Sequence, residues 1–576
     1  MGFEPRRSND KWLVLVVVGL VAFAAWFTIV NYEAAFPQAS LDLKYSRDEI
    51  TSLAREFLET RGLSTDGFLN ITLFDPNDSA RLYLERELGL EQANRLMESE
   101  APIWRWRARW FRPPGQEECV VWLTPDGELA GFSHVIPEAE AGARLTRDEA
   151  FALAEQFLRS QTGHEHRLIE EQLQERPNRH DYVFTWERAG FRAKDATYRR
   201  TIVVQGGEVG RYSEYLHIPE QWERDYAALR SSNELYASIA TGLSLVLALA
   251  AVAVVVVSLR RRAIQWRPLV LISGSAGVLS VVNQWNLLPF FVDAMPTSAR
   301  LSDTLILGIL QGMGAGVAYF FYVILGAAPG EPLYRDSLPS RLSLGAAFGP
   351  RGFRTREFFR ATLAGYGFAA AHLVFLVSFY LIGKRFGVWS PQDVSYSNIL
   401  STAVPWIFPL TIAVTAAMSE EFWFRLFAIP LLKRYARLTW VAVAVPAFIW
   451  GFLHANYPQQ PGFIRGIEVG IIGVGAGFLM LRFGILAPLI WHYTIDAFLV
   501  STILFQSGSL YFWASGILVS GAVLIPLAIS LFHYRRNGGF LADPRLLNSA
   551  PTPAPEEPPP EDHAEHAAEP LQPLWP

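Results

Sequence analysis

Hydropathy along the 576 residues separates three kinds of sequence. Residues 12–30 form one continuous apolar run, preceded by Arg6, Arg7 and Lys11. From 31 to about 231 no run is long enough to cross a bilayer, whose hydrocarbon core takes roughly 20 mostly apolar residues. Apolar runs then follow almost without interruption, near 235–259, 268–292, 302–328, 359–384, 404–432, 438–455, 463–481, 484–505 and 510–533. The pattern predicts a polytopic α-helical membrane protein with about ten spans and a large insert after the first. The first run resembles a signal peptide in its flanking charge, but it is long and ends without a small-residue cleavage site, so it reads as an uncleaved anchor.

Basic residues orient the spans, because cytoplasmic loops hold the excess of Lys and Arg. Arg260, Arg261, Arg262 and Arg267 follow span two; Arg335, Arg341, Arg351, Arg354, Arg356 and Arg360 follow span four. Lys433, Arg434 and Arg437 follow span six, Arg482 follows span eight, and Arg535 and Arg536 follow span ten. With an even number of spans all fall on one side. The expectation is a multi-pass cell (inner or plasma) membrane protein with both termini cytoplasmic and residues 32–231 extracytoplasmic. Gly308, Gly312 and Gly316, and the pairs Gly466/Gly470 and Gly473/Gly477, have the spacing that lets helices approach closely in lipid.

The insert is internally duplicated. SRDEITSLAREFL at 46–58 aligns without a gap with TRDEAFALAEQFL at 146–158. Ser46 with Glu49 and Thr146 with Glu149 have capping-box spacing at a helix start. Alternating, strand-like sequence follows each helix, and Asp126-Gly127 and Gly206-Gly207 are hairpin-turn signals. The prediction is two α+β units, at 32–135 and 136–231, each a helix against a small antiparallel sheet. The pattern, with its closing GxV/GxL strand, resembles PepSY-type domains. That resemblance, carried by pattern and by no single residue, implies peptide or partner binding or regulation of the attached membrane unit; a purely structural insert is the alternative. His134 and His217 read as surface or strand residues.

The averages now make sense. A mean hydropathy of +0.18 with 18% charged residues mixes apolar spans with a charged insert and the tail PTPAPEEPPPEDHAEHAAEPLQPLWP, whose Pro and Glu content cannot build a core. The remaining segments are an N-terminus and anchor at 1–31, spans two to four with a basic loop at 232–358, a membrane core at 359–534, and a cytoplasmic tail, read as disordered, at 535–576. A net charge of −5 gives no electrostatic support to nucleic-acid binding. Cys119, the one cysteine, permits neither an intramolecular disulfide nor a cysteine-based zinc site.

A charge at mid-bilayer costs at least about 2.5–3.5 kcal/mol on the gentlest scale, and the membrane core concentrates such residues. MSEEFWFR places Glu420, Glu421 and Arg425 in one span, WGFLH places His454 in the next, and WHYTID places His492 and Asp496 in the ninth. Glu421 and Arg425 are four apart, a favourable ion-pair spacing, while Glu420 is rotated about 100° away. His492 and Asp496, and likewise Trp450 and His454, also share a helix face. Counting from the basic boundary residues, Glu420, His454, His492 and Asp496 lie roughly 20, 24, 15 and 21 Å deep. Four polar groups on three helices thus reach one level. A carboxylate and a histidine there make a general base for water, and a second histidine with a neighbouring Asp makes an oxyanion donor; together they suit amide hydrolysis. A zinc site on His454, His492 and Glu420 is the rival, without the HExxH spacing. His372 and Glu468 read as local hydrogen-bonding groups with substrate contact as the alternative, and Asn283, Gln284 and Asn286 as groups lining or sealing the bundle.

EEFWFR, His454 and HYTID together resemble the EExxxR, FxxxH and HxxxN/D motifs of the CAAX-protease and bacteriocin-processing family, similar to the Rce1-type protease, over roughly 359–505. The resemblance implies an intramembrane endopeptidase of glutamate type: Glu420 activates water with His454, His492 and Asp496 bind the oxyanion, and Glu421, Arg425 and Trp450 support them. It implies no required cofactor, with zinc left open, and a peptide or membrane-protein substrate in the bilayer. This sequence departs from the pattern in having Trp450 at the FxxxH aromatic, Asp496 where Asn is common, and Leu426 after Phe424-Arg425 where the family often has Gly. The alternatives are a non-catalytic sensor, scaffold or immunity-type protein binding peptides through the insert, and a proton-coupled transporter, against which the halves show no inverted repeat.

Overall fold

The computed structural model describes residues 2–4, 8–36, 41–391 and 396–549. Arg6, Arg7 and the Pro/Glu-rich segment from 550 onward lie outside them. Among the described residues eight helices are long and apolar enough to cross a membrane: Asp10–Tyr32, Glu220–Arg260, Trp266–Asn286, Leu301–Ser337, Arg356–Lys384, Thr439–Asn456, Ile464–Phe483 and Leu486–Gln506. A ninth candidate is the pair Leu510–Val523 and Ile525–Asn537, bent by 51°. The remaining expected span, 404–432, is occupied by continuous helix over 407–435; Glu420, Glu421 and Arg425 keep part of it from being uniformly apolar. Exposed Trp12, Leu15, Val246, Leu249 and Leu310 form an apolar outer surface suited to lipid.

The duplicated insert is one domain with one sheet. Eight antiparallel strands run in the order Leu69–Phe74, Trp106–Phe111, Glu118–Leu123, Leu129–Val135, Glu208–His217, Thr197–Gln205, His180–Arg188 and His166–Glu175. The two closing strands pair with each other, Phe132 opposite Tyr212, so each half covers an edge that the other would leave open to aggregation. Two separate small sheets were expected; the merged core explains the difference, since Phe132, Phe157 and Tyr212 from both halves pack together. Helices Arg47–Thr60 and Arg147–Gln161 both carry the predicted capping box. Both hairpin turns also form, with Gly127 and Gly206 at positive φ. The edge strands Leu69–Phe74 and His166–Glu175 were not predicted; the polar EEQ run interrupts the second. Cys119 is buried, which with Glu117 and Glu118 nearby pushes its thiol up to about 12.

The two ends of the bundle differ. At one end the insert is docked: Arg47 donates to the Ser401 carbonyl at 3.2 Å, Phe74 N to Ser401 Oγ at 2.9 Å, Gly508 N to the Leu43 carbonyl at 3.2 Å, and Arg107 pairs with Asp293. At the other end the basic loops gather. Arg335 donates to the Ala263 carbonyl at 2.7 Å, Asn548 N to the Arg341 carbonyl at 2.9 Å, and Arg360 pairs with Asp10 at 2.7 Å. Residues 535–549, grouped by composition with the tail, are ordered there: Phe540–Ala542 pairs with Gly2–Glu4, and Arg351 binds Asp543 at 2.8 Å.

Small residues set the helix spacing as the sequence predicted. A Cβ on Gly316 would lie 2.3 Å from Val281 Cγ2 and 2.8 Å from the Gly277 carbonyl, whereas one on Gly314 meets nothing within 4 Å. Gly316→Ala is expected to lower stability in detergent by about 1–3 kcal/mol through overpacking, while Gly314→Ala is neutral or stabilising; thermal unfolding of the two variants checks this, and equal midpoints would remove the packing argument.

Candidate active site

Three helices bring the polar residues together. The helix 407–435 is α-helical to Glu420, π-helical over Glu421–Ala428, and α-helical again to Tyr435. Such wide turns inside α-helices occur frequently at functional sites. The α-helical count did not foresee this one, yet the predicted division holds: Glu421 and Arg425 pair at 2.9 Å, and Glu420 points elsewhere. His454 lies just past helix Thr439–Leu453, in the 3-10 turn His454–Asn456. His492 and Asp496 sit one turn apart on Leu486–Ser501.

Glu420 Oε2 is 4.0 Å from His454 Nε2 and 3.8 Å from His492 Nε2, and His492 Nε2 is 3.4 Å from Asp496 Oδ2. His492 Nδ1 faces Glu421 Oε1 at 2.8 Å, a contact the sequence reading, which paired His492 with Asp496 alone, had missed. The same oxygen accepts from Arg425. Glu421 thus joins the π-helical span to the helix Leu486–Ser501. His454 Nδ1 lies 3.0 Å from the Trp450 carbonyl, which leaves Nε2 directed toward Glu420.

Exposure divides the cluster in two. Glu421 and Arg425 side chains are 0% and 1% exposed, whereas Glu420, His454 and Asp496 are 26%, 25% and 28% exposed. A charge with no water must be matched by protein groups; the exposed trio can reach solvent and a ligand.

Trp450 does more than pack. Its indole Nε1 donates to Glu420 Oε2, its face lies 4.0 Å under the Arg425 guanidinium, and its ring is 5.2 Å from that of His454 and 5.9 Å from that of His492. The sequence signal was available: an indole N–H in an apolar span needs an acceptor. His372 receives the Trp491 indole N–H at 3.3 Å, and Glu468 binds Tyr380 and Arg465, the local roles expected. Asn286 seals a contact to the Val404 carbonyl at 3.1 Å.

The zinc alternative requires Glu420, His454 and His492 to aim lone pairs at one point. Glu420 instead accepts from Trp450, and among the described residues no three His, Cys, Asp or Glu side chains form a metal-holding group. The donor set as arranged does not fit an ion.

Fold and site together define a polytopic membrane protein with a carboxylate–histidine cluster inside its helical core. Residues 402–498, which span that cluster, match the family described as Type II CAAX prenyl endopeptidase Rce1-like. The match lies in the C-terminal membrane region and supports membrane-peptidase activity in general. Over 506 residues the chain is 21% identical to the sporulation-killing factor biosynthesis protein SkfC of Bacillus subtilis (strain 168), a match covering 86% of this chain and 95% of SkfC. A match of that length takes in most of the insert as well as the membrane helices. No solved structure matches the chain.

Removing one member of the buried Glu421–Arg425 pair leaves the other charge uncompensated. Glu421→Leu and Arg425→Met alone are each expected to cost about 3–5 kcal/mol, and the double variant clearly less than their sum. Thermal unfolding of the three proteins tests this; additive losses would mean the pair is not a unit.

Proposed function

We propose that this chain is an intramembrane endopeptidase that hydrolyses a peptide bond of a membrane-associated peptide or protein. The observation that carries the reading is the gap between Glu420 Oε2 and His454 Nε2. At 4.0 Å it can be bridged by a single water about 2.8 Å from each atom.

In this reading the water gives its proton to the Glu420–His454 pair as its oxygen attacks the substrate carbonyl carbon. The carbonyl oxygen becomes an oxyanion and is met by the His492 Nε2–H. His492 can carry both ring protons because Nδ1 faces Glu421 and Nε2 faces Asp496 and Glu420. Asp496, an acceptor when ionised, orients His492 and does not itself donate, which accommodates Asp at the position where the family often has Asn. The C–N bond then breaks, and the proton held by the pair passes to the leaving amine. Glu421, Arg425 and Trp450 hold this arrangement.

A peptide library incubated with purified protein in detergent provides the test. Glu420→Ala and His454→Ala are expected to lower cleavage by about 100-fold or more, and a chelator to leave the wild-type rate unchanged. Mutants cleaving as fast as wild type would sink the assignment.

We also propose that the basic end of the bundle is cytoplasmic and the insert extracytoplasmic; the collection of arginines at the end opposite the insert supports this. Because Cys119 is buried, it is a poor reporter, and the exposed helical position Ser52 serves better. In intact cells Ser52→Cys is expected to react with a membrane-impermeant thiol reagent. Labelling only after the membrane is opened would reverse the topology.

A further inference from the structure

A second buried polar assembly lies outside the carboxylate–histidine cluster, and it grips the segment that carries His454. Helix Glu220–Arg260 follows the insert's last strand after only Ile218 and Pro219, and runs unbroken into the bundle. Its first turns are fixed to the insert: Trp222 Nε1 donates to Glu87 at 2.8 Å, and the ring meets Tyr83 edge-on at 5.0 Å. From Trp222 to Asn233 this rod rises about 17 Å.

Asn233 is completely buried. Its Nδ2 lies 2.9 Å from the Ala455 carbonyl, 2.8 Å from Tyr457, 3.0 Å from Gln459 and 3.3 Å from Gly462, while its Oδ1 accepts from Gln460 Nε2 at 2.6 Å. One turn earlier, Arg230 donates to the Tyr457 carbonyl at 2.7 Å and to that of Asn456. All these partners fall within the eight residues that follow His454. After the 3-10 turn the segment has little regular structure, and its inward carbonyls converge on one amide. His454 itself lies beyond the end of its α-helix, so the backbone after it is held from this side.

We propose that Asn233 and Arg230 are positioning residues for His454, and that through them the inserted domain sets the geometry of the peptidase site. The proposal rests on the reading of His454 as part of the water-activating pair. The 4.0 Å gap to Glu420 admits one water, and a misplacement of about 1 Å in a catalytic array can cost on the order of 100-fold in rate. The insert holds one end of the rod and His454's loop the other, so a ligand that shifts the insert shifts the base.

Asp has the shape of Asn but accepts only when ionised, so Asn233→Asp separates donation from space-filling. Full-length protein in detergent is assayed on a peptide that the wild type cleaves, with hydrogen exchange of residues 455–463 measured in parallel. Asn233→Asp is expected to lower kcat about tenfold or more with KM within about twofold, and to speed exchange in that segment. Arg230→Met is expected to lower kcat in the same way, and Arg230→Lys to recover most of the loss, which keeps the test intact should the Asn233→Asp variant fail to fold. Wild-type kcat in Asn233→Asp and Arg230→Met, or a change in KM alone, overturns the proposal. Cleavage surviving in His454→Ala overturns the site reading instead, while exchange in the loop still reports whether the clamp exists.

Discussion

The membrane core is organised around the burial of Glu421. A carboxylate sealed from water inside an apolar bundle persists only if protein groups match its charge. Here Oε1 takes both the Arg425 guanidinium and His492 Nδ1, at 2.9 and 2.8 Å. That one oxygen locks the π-helical span to the helix Leu486–Ser501 and fixes which nitrogen of His492 faces inward. It also separates the neighbouring acids: Glu421 is committed to structure, and Glu420, turned away and bonded to Trp450, remains at the accessible side with His454 and Asp496. The proposed chemistry needs that separation, because a base must reach water whereas its scaffold must not.

Much of this was legible because charge in an apolar run is conspicuous. Glu420, Glu421, Arg425, His454, His492 and Asp496 stood out against their surroundings, and a constant rise per residue was enough to bring four of them to one depth. The π-helical segment was not legible, since its side chains suit an α-helix equally well and only packing selects the wider turn. Neither was the Glu421–His492 bond, because residues on different helices have no spacing to count. In the insert, the capping boxes and Gly turns announced their elements directly. The edge strand His166–Glu175 did not, its outward polar residues masking the alternation, and the union of two sheets into one depends on strand-to-strand pairing that a duplication leaves open.

Asn233 shows what sequence reading misses most readily. It sits at the start of an apolar run, in no motif, and looks like a boundary residue; its meaning comes from the inward carbonyls of a loop more than two hundred positions away. Through it the two parts of the molecule, an eight-stranded domain and a helical membrane core, are mechanically continuous rather than merely tethered. The insert's core also extends over Ile399, Leu400, Val500 and Ile503, so the domain caps the end of the bundle nearest to His454.

The central claim is that Glu420 and His454 act on one water. A double-mutant cycle on cleavage rate tests it most directly, using Glu420→Gln, His454→Ala and the combined variant. If the two residues form a unit, the double variant is about as slow as the slower single variant, since either loss already disables the pair. Losses that multiply would show independent contributions and contradict the account.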